Sequence, residues 1–98
     1  MERTHCLKEV IKVAYFHYDA MNSFKLNSIY DEVSSITGKN LYTLRANVRL
    51  AIQDIIDNAP DNLLHSVFYI SRKEANKNPN PKYFIIQIVD YLNNGLSN

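Results

Sequence analysis

The sequence predicts an α+β domain: three helices packed on a small antiparallel sheet that extends into a long hairpin. Apolar residues recur at helical spacing up to Pro60, and beyond it two β-rich runs, "LLHSVFYIS" and "KYFIIQIV", alternate from face to face. Between those runs lies "RKEANKNPNP", whose two prolines and three asparagines predict a long exposed turn. The order is helix, short strand, helix, helix, strand, basic turn, strand, which keeps the helices apart from the sheet.

Each element has its own warrant. Helix 1 is expected over about 4–21, with Thr4 as N-cap and Leu7, Val10, Ile11, Ala14, Tyr18 and Met21 at helical spacing. Val13, Tyr15 and Phe16 widen its apolar surface beyond one stripe. "SFKL" is enough for a bridging strand. Helix 2 is expected over about 28–37, with Ser28 and Asp31 as a capping box and Gly38 as a left-handed stop. Helix 3 is expected over about 41–58, starting near Asn40 or Thr43 and ending before Pro60, with Leu41, Leu44, Val48, Ile52 and Ile55 on its inner side. In the hairpin, over about 64–89, Leu64, Phe68 and Ile70 share a face with Phe84, Ile86 and Ile88. The tail over 93–98 reads as frayed.

The 98 residues make one domain with a single modest core, and 46% hydrophobic with 21% charged residues is an ordinary globular balance. One cysteine, Cys6, excludes an internal disulfide framework and leaves zinc without its usual thiolates. Neither a membrane span nor a signal peptide is legible, so a cytoplasmic location is expected. The net charge of +1 hides an excess of basic residues after position 62, four against two acidic. Net charge this small is neutral on nucleic acid, so local placement has to carry that case.

The fragments "SIYDEVSSITG" and "NVRLAIQ", within a pattern covering roughly residues 5 to 89, resemble winged helix–turn–helix DNA-binding domains, in particular modules attached to bacterial restriction endonucleases. The resemblance implies a recognition helix at about 41–57 and a wing at about 71–82. It implies a regulator or a targeting module that binds double-stranded DNA. Arg45 and Arg49 would approach from the helix, and Arg72, Lys73, Lys77 and Lys82 from the wing. Lys39, Tyr42, Thr43 and Asn47 complete the expected DNA-facing set.

The residues themselves raise the same question. Tyr42, Arg45, Arg49 and Gln53 fall on the solvent side of helix 3. Neither arginine has an acidic residue three or four positions away, and they repel one another at i, i+4. Both stand in the N-terminal half, where the helix dipole disfavours cations. A solvated face with acidic partners from elsewhere in the fold is one reading, and a face for phosphate or guanine is the other. With the wing contributing, roughly five phosphate contacts would give a salt slope of about −4 to −5.

The chain holds only Gly38 and Gly95, too few for a phosphate-cradling loop. His5, Cys6 and His17 lack metal-ligand spacing, His65–Ser66 lacks a nucleophile elbow, and Glu74-x-x-Lys77 is one residue too long for a nuclease motif. No cofactor, metal or catalysis is expected. The competing function is a protein-binding module. Val67, Tyr69, Tyr83 and Ile85 would form an apolar outer sheet face, which with helix 1 would take a partner protein or a second copy of the chain.

Overall fold

A computed structural model describes residues 2–17, 25–77 and 79–97, with side chains up to 94. The elements are α1 (Glu2–Phe16), α2 (Leu26–Thr37), α3 (Leu41–Asn58), α4 (Asp61–Leu63) running directly into a π-helical turn (Leu64–Phe68), α5 (Arg72–Lys77) and α6 (Pro81–Ser97). No strand occurs among the described residues, so the expected sheet and hairpin wing are overturned.

The run "KYFIIQIV" lies inside α6. Phe84, Ile85 and Val89 are buried and Ile88 is half-buried, a stripe at i, i+1, i+4 and i+5 that belongs to a helix. Pro81 occupies the first helical position, where its missing N–H costs nothing, and Asn80 Oδ1 accepts the Lys82 N–H at 3.0 Å. "LLHSVFYIS" becomes α4 and the π-helical turn, which stops at Tyr69 in the left-handed region (φ 55°, ψ 37°). The expected exposed turn "RKEANK" is α5. It opens on a reciprocal capping box, with the Glu74 N–H donating to Ser71 Oγ at 3.2 Å and the Ser71 N–H donating to Glu74 Oε1 at 3.4 Å.

The first half follows the sequence more closely. α1 begins at Glu2, ahead of Thr4, and the expected continuation from Tyr18 to Met21 lies outside the described residues. Of "SFKL", Ser23 and Phe24 also lie outside them, Lys25 is extended and Leu26 is already helical. Lys25 is the N-cap of α2 and offers no side-chain bond, so the capping box at Ser28 and Asp31 is not formed. Gly38 does close α2 in the left-handed region at φ 77°, donating its N–H to Ser34 O. Asn40 caps α3, its Oδ1 accepting from Thr43 N at 2.8 Å, and Ala59 ends that helix before Pro60. The tail expected to fray continues α6 to Ser97.

α3 is the central element. α1 lies along it, α2 and α6 cover further sides, and α5 docks on its C-terminal half. Val10, Val33, Leu44, Val48, Ile52 and Ile56 are buried to 1% exposure or less, and each large apolar side chain buried this way contributes about 1.5–3 kcal/mol. Phe68 and Phe84 close the core's other end with ring centroids 4.8 Å apart. Val67 and Ile85, expected on an outer sheet face, are core residues at 8% and 0% exposure, because helical spacing turns both inward. Tyr83 is half-buried with its hydroxyl donating to Phe68 O. Only Tyr69 of that expected interface is exposed, at 72%. No helix among the described residues is long and apolar enough to cross a membrane.

Candidate nucleic-acid interface

α2 and α3 are consecutive helices joined by the three-residue turn 38–40. Several bonds pin the turn. Ser34 Oγ donates to Lys39 O at 2.6 Å, Lys39 N donates to Thr37 Oγ1 at 3.3 Å, and Thr37 Oγ1 donates to Val33 O at 2.8 Å. With its entry fixed, α3 presents a constant face. Tyr42 is 84% exposed, and Arg45, Ala46, Arg49 and Leu50 are exposed with it.

Leu41, Tyr42, Arg45, Ala46, Arg49 and Leu50 line an open trough of about 690 Å³. All six belong to α3, so the feature is the solvent-facing side of the central helix and not a cleft between elements.

The arginines divide cleanly. Arg3 Nε lies 3.3 Å from Asp54 Oδ2, and Arg72 Nη2 lies 2.8 Å from Asp61 Oδ1. Arg45 and Arg49 enter no ion pair among the described residues. Arg45 Nη2 donates to Asn27 Oδ1 at 3.2 Å, and its guanidinium carbon stands 5.6 Å from the centroid of the Tyr30 ring. Tyr30 is only 4% exposed. Burial pushes its phenol above the usual value, and the positive charges of Arg45 and Arg49 partly oppose that rise.

The other expected DNA-facing residues take different roles. Thr43 donates its backbone N–H to the Asn40 cap and is half-buried. Asn47 is half-buried on the inner flank of α3, where its side chain meets the Cys6 thiol. Lys39 pairs with Glu2, and this hydrogen-bonded contact lowers the Glu2 carboxyl and raises the Lys39 ammonium. Arg72 donates to Ile56 O and, at 2.5 Å, to Ala59 O, closing the C-terminus of α3. Lys73 and Lys77 are exposed on α5 and Lys82 on the first turn of α6, so no hairpin presents them together. Gln53 donates to Asp57 Oδ1 and Asn76 Oδ1, both at 3.0 Å, and is committed within the fold.

Thus Tyr42, Arg45 and Arg49 share one outward face, while the basic residues expected in a wing are carried instead by α5 and the start of α6. Asn27 and Tyr30, from α2, belong to the same cluster and went unread in the sequence. Their approach to Arg45 crosses the turn and depends on how α2 crosses α3, which no spacing within one helix encodes.

Elsewhere, an apolar concavity of about 540 Å³ lies between α1, α3, the π-helical turn and α6, floored by Leu7, Ile55, Val67, Phe68 and Ile88. Its rim includes Asp54, the partner of Arg3. Among the described residues no group of three or more His, Cys, Asp or Glu side chains could hold a metal ion. No family model, curated protein or solved structure matches this chain.

Proposed function

We propose that this chain is a non-catalytic cytoplasmic protein that binds double-stranded DNA by laying the exposed face of α3 in the major groove. The observation that carries the reading is the unneutralised pair Arg45 and Arg49. The other two arginines are matched by carboxylates, whereas these two stand one turn apart on an exposed face without one among the described residues. Their mutual repulsion at i, i+4 opposes that placement by a few tenths of a kcal/mol. An incoming phosphate or guanine edge reverses that penalty.

Without a wing the electrostatic demand is smaller. With Arg45 and Arg49 as the cations, one to two phosphate contacts per chain give a slope of log affinity against log salt of about −1 to −2. Affinity then falls about 4- to 16-fold between 50 and 200 mM salt. Tight binding by so few contacts calls for two copies on one duplex, set at paired half-sites. The test is a fluorescence-anisotropy titration of labelled duplex at several salt concentrations, with Arg45→Ala/Arg49→Ala as the control. A flat salt response, or a double variant that binds as the parent does, defeats the proposal.

A second reading rests on Tyr42 and Leu50, exposed at 84% and 49% beside the two arginines. Tyrosine and arginine dominate binding hot spots between proteins. A protein partner predicts that Leu50→Glu abolishes binding and that the interaction persists in high salt.

A further inference from the structure

The two unpaired arginines are not equivalent. Arg49 has no hydrogen-bond partner among the described residues, whereas Arg45 is tethered to the neighbouring helix. Its Nη2 is held by the Asn27 amide oxygen at 3.2 Å, and its guanidinium carbon lies over the buried Tyr30 ring, 5.6 Å from the centroid and within cation–π range. Neither partner carries charge. An aspartate at position 27 would grip Arg45 harder and cancel its positive charge, and an amide grips without cancelling. One of five N–H donors is used, which leaves the rest of the fork facing outward.

We infer that Asn27 and Tyr30 are positioning residues that pre-orient Arg45 as a fixed clamp for a DNA phosphate, leaving the untethered Arg49 to meet base edges. The inference rests on the DNA-binding reading of α3 and adds a division of labour to it. A long side chain ordered before the ligand arrives avoids part of the ordering cost of binding. Phosphate contacts set register and orientation whereas base contacts specify, which gives the tethered arginine the first role and leaves the second to Arg49. The first helix of a helix–turn–helix unit commonly crosses the backbone, which puts α2 on the side where Arg45 is held.

Asn27→Ala is the primary test, because residue 27 is exposed in the first turn of α2 and alanine is a good helix former. The expected result is a duplex affinity about two- to tenfold weaker with the salt slope unchanged, since no charge is lost. Arg45→Ala should instead flatten the slope by about 0.9 on every sequence, and Arg49→Ala should reduce discrimination between sequences. Asn27→Gln, which keeps the amide acceptor, restores part of the loss. A readout independent of DNA is the NMR order parameter of the Arg45 Nε–H, which should fall in Asn27→Ala and leave Arg49 unaffected. If both arginine variants bind duplex as the parent does, the DNA reading and the positioning fall together. If binding depends on the arginines but Asn27→Ala leaves affinity and the Arg45 order parameter unchanged, the positioning alone is overturned.

Discussion

Arg72 reaches back 11 residues to place its Nη2 2.8 Å from Asp61 Oδ1, and the same guanidinium donates to the Ile56 and Ala59 carbonyls. This arrangement closes the C-terminus of α3, where the last carbonyls of a helix lack partners. A cation there also meets the negative end of the dipole. Arg72→Ala is therefore expected to destabilise the fold by roughly 1–3 kcal/mol, read from urea melts. The salt slope of DNA binding should stay as it is. A change in slope with no loss of stability would return Arg72 to the interface.

The second half of the chain was misread for a physical reason. An apolar run such as "YFIIQIV" satisfies periods of 2 and 3.6 almost equally, and only flanking signals arbitrate. Those signals were present. Ser71-x-x-Glu74 is a capping box, and Asn80–Pro81 is an N-cap followed by the residue favoured at the first helical position. Taken as turn composition, they produced a hairpin. α3 was legible because two candidate caps, Asn40 and Thr43, lie within one turn of each other and Pro60 stops it, and its exposed Tyr42, Arg45 and Arg49 follow from that placement. What α2 contributes to the site, and the Glu2 carboxylate that neutralises Lys39, are contacts across elements and leave no periodic trace.

Gly38 occupies the left-handed region at φ 77°, with open space where a Cβ would project. Gly38→Ala therefore meets no neighbour and suffers only the backbone cost, about 1–2 kcal/mol. Gly38→Asn should recover part of it, because asparagine tolerates this region. Thermal melts of the two variants give the comparison. Equal stability of alanine and glycine at this position would show that the turn is not held in the left-handed conformation.

Burial raises the Cys6 thiol and the Tyr30 phenol above their ordinary values of 9.0 and 10.0. In both cases the folded state retains its proton where the unfolded chain loses it. Their contribution to stability is thus complete below pH 9 and is lost as pH rises through the raised values. Denaturant midpoints should decline as pH rises above about 9, and Cys6→Ala combined with Tyr30→Phe should flatten that decline. Cys6, only 1% exposed, should also resist alkylation in the native state and react at once in urea. Rapid native labelling at pH 8 would contradict the buried thiol.

The Glu2–Lys39 pair offers the sharpest functional prediction, because it sets a carboxylate of this chain against a phosphate for one ammonium. Lys39 lowers the Glu2 carboxyl from its usual 4.5, so that side of the pair is fully present above that pH and lost as pH falls through the lowered value. Glu2 raises Lys39 from 10.5, so the other side is present below that pH and lost as pH rises through the raised value. The pair is intact throughout the neutral range. It is solvent-accessible, so Glu2→Gln should leave the melting temperature nearly unchanged. What should change is the response to DNA. A released Lys39, on the turn immediately before α3, adds one cation near the N-terminal end of that helix. Duplex affinity should rise at low salt, and the salt slope should steepen by about 0.9. An unaltered slope in Glu2→Gln would mean that Lys39 does not face the DNA backbone and that the interface ends at Tyr42.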